Sequence, residues 1–330
     1  MMKTRDFVAC GLKNITCATW LILTLVFSAC TSTPEKASSV PHYMADMPVQ
    51  PPKKLKPVAR FDSPEIDESS GIVKSQRYAD VYWTHNDSGD VARIFPIRLD
   101  GSDVGPSAGQ GILVDGAVNR DWEDIASDHA GNLLIGAFGN NANRRRDLAV
   151  YVVPEPDPYA NRPAQVSQRV PFHFPEQTAF PQQDNNYDVE ALFVANGTWH
   201  ILTKHRADTE TRLYRFSGYS QTESNPLTLL ASFSSRGMVT AADALADGSR
   251  VAVLTYGSLW VFQPPQNDDG SYDVDRMFAG DIFWQPIRAK QCEAVCFIDP
   301  DSVLITNEQG ALFMVSLMKG LTMHPTGLVR

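Results

Sequence analysis

One short pattern, an acid followed by a small residue and then an aliphatic one, recurs through this chain. It stands as Trp122-Glu123-Asp124-Ile125-Ala126, as Val189-Glu190-Ala191-Leu192, as Ala242-Asp243-Ala244-Leu245 and as Cys292-Glu293-Ala294-Val295. A weaker copy, Ser69-Ser70-Gly71-Ile72, comes first, with Glu68 just ahead of it. The acids Glu123, Glu190, Asp243 and Glu293 lie 67, 53 and 50 residues apart, and Ser70 precedes Glu123 by 53. Self-similarity at a period near 50 is the mark of a β-propeller or a related array, because one such unit cannot bury its apolar face alone. Each copy is expected to open the innermost strand of a blade.

The residues between the copies fit four short strands per blade. β-branched and aromatic residues dominate, and Asn, Gly, Asp and Pro punctuate. The last copy lacks a fourth strand, while residues 56–61 form an orphan strand ahead of the first copy. A ring needs such a closure, which leaves no open edge. The expectation is therefore an all-β, five-bladed β-propeller over residues 55–330, its N-terminal strand completing the last blade. Six blades is the alternative. The 67-residue gap argues against it, since it accommodates one blade with long loops at 140–146 and 177–186 rather than two.

Residues 1–29 read as a targeting segment. Lys3, Arg5 and Lys13 precede an apolar run over 15–29, which is short for a membrane span. The run ends Val26-Phe27-Ser28-Ala29-Cys30 and resembles the lipobox of bacterial lipoproteins, in which the Cys is lipidated; Phe27 departs from the usual Leu. A plain cleaved signal is the alternative. Thr31 after the Cys favours sorting to the outer membrane, so the protein is expected to meet the membrane through a lipid on Cys30 only. Residues 30–54 read as a flexible tether. Net charge is -9, and the signal carries +2, which leaves -11 for the remainder. An acidic chain with no basic stripe is a poor nucleic-acid partner. Cys292 and Cys296, four apart on one strand, stand about 13 Å apart and are expected as buried free thiols.

In a four-stranded blade the innermost strand starts, and the second strand ends, on one face beside the channel. The acids Glu123, Glu190, Asp243 and Glu293 should gather there, with Glu68, Asp121 and Asp188 as a second tier two residues back. Carboxylates converging in a semi-enclosed mouth must take up protons or a cation. Oxygen ligands favour Ca²⁺, with Mg²⁺ the alternative. That ion is catalytic, or a staple of the ring, or absent altogether. The second-strand ends supply polar groups: Asn86 and Asp87, Asn140 and Asn141, Lys204 and His205, Tyr256, Asn307 and Glu308. Arg144, Arg145 and Arg146 add positive charge near the rim. Asn86, Asp87, Asn140, Asn141, Arg144, Tyr256, Asn307 and Glu308 are the candidate ligand contacts. Lys204 would neutralise an anion, and His205, or His85, would move protons. No nucleophile elbow, P-loop or His-Glu-x-x-His is present.

The fragments His85-Asn86-Asp87-Ser88-Gly89, Asp121-Trp122-Glu123-Asp124-Ile125-Ala126, Phe138-Gly139-Asn140-Asn141-Ala142-Asn143-Arg144 and Asp188-Val189-Glu190-Ala191-Leu192 resemble a family of secreted bacterial β-propeller proteins. More distantly, acids at innermost-strand starts are similar to those of esterase-like phytases, gluconolactonases and calcium-activated nucleotidases. That likeness implies a channel Ca²⁺ held by Glu123, Glu190, Asp243 and Glu293. The first two of these groups mostly have six blades. Two functions follow as expectations. One is a metal-dependent hydrolase of small anionic esters, phosphoester or lactone. The other is a non-catalytic surface module, monomeric, that grips a glycan, a peptide or a partner protein.

Overall fold

The computed structural model describes residues 40–184 and 186–317, and the backbone of the short strands Thr322–His324 and Thr326–Val329. The signal segment and Cys30 lie outside the described residues. The fold is an all-β propeller. Among the described residues, antiparallel strands form five four-stranded units. The first runs Ser69–Lys74, Tyr82–Asn86, Arg93–Ile97 and Ile112–Asp115. The second runs Trp122–Ser127, Asn132–Ala137, Ala149–Pro154 and Gln168–His173. The third is Asp188–Ala195, Thr198–Lys204, Thr211–Phe216 and Asn225–Phe233. The fourth is Val239–Ala244, Val251–Thr255, Ser258–Gln263 and Asp281–Arg288.

The fifth unit is completed from the other end of the chain. Cys292–Asp299, Ser302–Asn307 and Ala311–Ser316 are joined by Ala59–Arg60, which pairs Arg60 with Ala311 and Ala59 with Leu312. The orphan strand of the sequence is this closing strand. Local chemistry sets the hairpins. Asn196-Gly197 links the first two strands of the third unit with both residues at positive φ, 51° and 71°, the pairing that a tight two-residue hairpin requires.

Five apolar clusters lie between neighbouring units, one at each boundary. Trp83 and Ile94 of the first unit pack with Trp122 and Ile135 of the second. Phe138 and Phe172 of the second pack with Leu192 and Tyr214 of the third. Phe193 and Phe233 meet Trp260 and Phe262 across the next boundary. Leu254 and Leu259 meet Val295 and Ile305. The cycle closes where Ile72, Tyr82 and Phe95 pack on Ala294, Cys296 and Leu304. Each large apolar side chain so buried contributes roughly 1.5–3 kcal/mol. Cys292 and Cys296 are free and buried within this packing.

Residues 40–54 are not a tether. His42–Ala45 lies parallel to the outermost strand of the third unit, with Thr326–Val329 on its other side. Lys53–Lys54 lies parallel to the outermost strand of the fourth. Ala45 and Met47, with Leu55 just after them, are buried, and these apolar anchors dock it.

Candidate functional site at the channel mouth

Every innermost strand carries a one-residue bulge near its start. The register slips between Ser69 and Gly71, Trp122 and Asp124, Val189 and Ala191, Val239 and Ala241, and Cys292 and Ala294. The extra residues are Ser70, Glu123, Glu190, Thr240 and Glu293. A bulge leaves its residue unpaired and re-aims its side chain. The repeat is thus Ser, Glu, Glu, Thr, Glu. Asp243 is a correction to the sequence reading: it lies three residues beyond the bulge, and its Oδ2 accepts the Phe297 N–H at 2.8 Å. The fourth copy was aligned on the acid, whereas the structure aligns it on Thr240.

The inner wall is stitched across units. Ser70 Oγ donates to the Glu123 carbonyl at 2.8 Å, and Thr240 Oγ1 donates to the Cys292 carbonyl at 2.8 Å. The sealed Asp124 carboxylate accepts the N–H groups of Ile125 and Leu192 at 2.9 Å and of Ala242 at 3.3 Å. Three donors satisfy that buried acid internally, so it is structural.

Glu123 is different. It is 3% exposed, and its carboxyl meets no hydrogen-bond donor among the described residues. One oxygen each from Asp87, Asp121 and Glu123 lie within 4.8 Å of one another. Gly139 makes the space: a Cβ there would stand 2.0 Å from Glu123 Oε1 and 2.5 Å from Asp121 Oδ2. Burial, with Glu190, Asp87, Asp188 and Asp121 nearby, pushes the Glu123 carboxyl well above its ordinary range. Burial and the Asp87 charge push Asp121 up to about 6. Burial also raises Asp87, offset in part by the Ser88 N–H and by Lys204.

Beside this trio the charges are paired. Lys204 Nζ stands 3.0 Å from Glu190 Oε1 and donates to the Tyr256 hydroxyl at 3.1 Å. Burial opposes its charge, but Glu190 and Glu293 outweigh burial and raise its pKa. Arg206 Nε and Nη2 grip Asp188 Oδ2 at 3.0 and 2.8 Å, and Nη2 also reaches Asn141 Oδ1. Arg145 Nη1 lies 4.0 Å from Asp121 Oδ2. Glu293 is pushed up to about 7 by burial, against the pull of Lys204 and a hydrogen bond from Tyr256.

The structure therefore brings Glu123, Glu190, Glu293, Asp87, Lys204 and Tyr256 to one mouth, with Asn141 and Glu308 at its rim. It redirects the others. His205 is the first residue beyond the strand that ends at Lys204, and its side chain bonds Asp208 in the turn rather than entering the mouth. Arg206, next in the same turn, takes the inward position, gripping Asp188 and standing 3.8 Å from Glu190. Arg144 is exposed, and its neighbour Arg145 turns in. His85 packs edge-on to Trp122 at 5.6 Å, and burial lowers it to about 4, so it is neutral at ordinary pH.

Asn86, Asn140 and Asn307 are turn staples rather than ligand contacts. Asn86 Oδ1 accepts the Glu68 N–H while Nδ2 bonds the Glu65 carbonyl. Asn140 bonds the Tyr187 carbonyl and the Arg145 N–H. Asn307 bonds the Ala289 carbonyl and the Ala311 N–H. Strand ends that are buried expose backbone groups needing partners, and an amide side chain supplies both kinds.

No protein-family model matches the chain, and no curated protein sequence matches it. Among solved structures it is similar to Chaetomium thermophilum Sqt1 bound to the N-terminus of ribosomal protein L10, at 12% identity and TM-score 0.34, over 82% of this chain and 77% of that one. It is also similar to the Myceliophteria thermophila Cps50 (Swd1) β-propeller domain, at 11% identity and TM-score 0.35, over 77% of this chain and 65% of that one. The fold assignment rests on the strand pairing above.

Proposed function

We propose that the channel mouth holds a divalent cation, Ca²⁺ in preference to Mg²⁺, and with it a small anionic ester, phosphoester or lactone, which the protein hydrolyses. The observation that carries this reading is the Glu123 carboxyl, on a residue only 3% exposed, with no hydrogen-bond donor among the described residues and within ligand reach of Asp87 and Asp121. Three acids so placed need protons or a cation. An all-oxygen set of adaptable geometry suits Ca²⁺. Such an ion, when bound, polarises an ester oxygen and acidifies water. The chain's own residues supply the rest. Lys204, fixed by Glu190 and Tyr256, offsets the charge of an anion. Glu293, whose carboxyl burial pushes up to about 7 in the cation-free protein, is the acid placed to take a proton. Tyr256 orients that carboxyl. The proposal includes a lipid on Cys30 and attachment at the outer membrane as a monomer, supported by the basic start, the apolar run and Ser28-Ala29-Cys30.

A second reading, a non-catalytic surface module for a glycan, a peptide or a protein, is favoured by one observation. Among the described residues no histidine faces the trio: His205 turns away and His85 is sealed. Purified protein, with Ca²⁺ and with chelator, assayed against phosphoesters and lactones beside Glu123→Gln, separates the two. Ca²⁺-dependent turnover lost in Glu123→Gln supports the hydrolase. A Ca²⁺-dependent melting shift lost in the variant, without turnover, leaves the binding module. No Ca²⁺ effect of either kind removes the cation.

A further inference from the structure

A second polar cluster lies off the channel, in the turn that leaves Thr198–Lys204. One ring nitrogen of His205 and one carboxylate oxygen each of Asp208 and Glu210 lie within 4.8 Å of one another. His205 Nδ1 stands 2.7 Å from Asp208 Oδ1. Asn186 joins from the loop before the third unit, its Nδ2 donating to Asp208 Oδ2 at 3.1 Å.

What sets the cluster apart is what it leaves unsatisfied. His205 is 1% exposed and Asn186 4% exposed. Nε2 of His205, Oδ1 of Asn186 and Oδ1 of nearby Asp184 are buried without a hydrogen-bond partner among the described residues. Burial lowers the pKa of His205, with Arg212 acting in the same direction and Asp208 and Asp184 against it. Arg212 itself is engaged by Tyr214 and Tyr187. His42 Nε2 approaches Glu210 Oε1 at 3.6 Å. An imidazole and two carboxylates thus share one place with the Asn186 amide against them, and a ring nitrogen and two side-chain oxygens of these neighbouring residues are left unpartnered. Buried polar atoms without partners call for a water or an ion.

We propose that the 205–210 turn binds a borderline divalent metal ion such as Zn²⁺ through His205, Asp208 and Glu210, with the Asn186 amide oxygen beside it. An imidazole with carboxylates suits zinc, whereas the oxygen-only trio at the mouth suits calcium. The two sites are chemically separable, and this one stands whether or not the mouth is a hydrolase. Its occupancy would also matter to the mouth. His205 sits between Lys204 and Arg206, so an ion that fixes the turn fixes the two inward-pointing cations on either side of it.

Zn²⁺ is titrated by calorimetry into metal-stripped full-length protein in detergent, on a Glu123→Gln background that removes the mouth trio. One equivalent should bind and raise the melting temperature. Glu210→Gln, at a side chain 35% exposed and so little threat to folding, should weaken binding by about 10-fold or more, as should His205→Ala. Failure of Zn²⁺ to bind at micromolar concentrations, or binding unchanged by both substitutions, overturns the site and leaves a water between these atoms. Loss of the Ca²⁺ effect in Glu123→Gln with Zn²⁺ binding retained shows that the two sites fail or stand separately.

Discussion

Glu293 gives the sharpest test of the mouth's electrostatics. In cation-free protein its carboxyl rises from the ordinary 4.5 to about 7. For an acid held high in the folded state, the folded form binds more protons between those two values. Stability is therefore undiminished below about pH 4.5 and falls as pH rises toward 7, with the full penalty present above it. The displacement corresponds to roughly 3 kcal/mol. Glu293→Gln keeps the shape and removes the charge. At pH 8.5 the variant should be more stable than the parent by about 2–3 kcal/mol, the upper figure being reduced because Lys204 loses one of its two partners. For a domain of this size that is a rise of roughly 5 °C in melting temperature. At pH 4.5 the two proteins should melt together. Chelator-treated samples scanned by calorimetry from pH 4.5 to 9 provide the measurement. Parallel curves, with no pH at which parent and variant converge, would refute the claim that burial holds this carboxyl high.

Other expectations follow from the same geometry. Asp124→Ala strands the N–H groups of Ile125, Leu192 and Ala242; at about 1–3 kcal/mol each the loss should bring a large drop in the urea midpoint, or failure to fold. Gly139→Ala drives a methyl group into Glu123 and Asp121, so it should abolish the Ca²⁺-dependent melting shift and cost about 1–3 kcal/mol of stability. Lys204→Met leaves Glu190 buried without its ammonium partner. It should destabilise by about 3–5 kcal/mol at pH 8, and by less as pH falls, because burial and the Asp188 charge already raise that carboxyl and a proton removes the unpaired charge; equal losses at pH 5 and pH 8 would count against the pairing.

The repeat made the ring legible because a unit of about 50 residues states its own period. The closing strand was legible as a strand too many at one end and too few at the other. What could not be read was register. In four copies the residue on which the repeat aligns is the bulged one, but in the fourth the bulge falls on Thr240, a residue with no charge to mark it, and Asp243 stood nearby as a decoy. The proton-moving role given to His205 failed on where the strand stops: it ends at Lys204, and in the turn beyond it His205 bonds Asp208 while Arg206 reaches back to Asp188. The asparagines misled for another reason. Asn86, Asn140 and Asn307 recur because buried strand ends need both donors and acceptors, a demand as periodic as any binding site.

The docked segment ahead of the ring has a mechanical consequence. A pull arriving from before residue 40 meets His42–Ala45, clamped between Asn225–Phe233 and Thr326–Val329, before it can reach the two-residue pairing of Ala59–Arg60 with the last unit. Load is shunted into the flank of the third unit, and the clasp that holds the circle shut is spared.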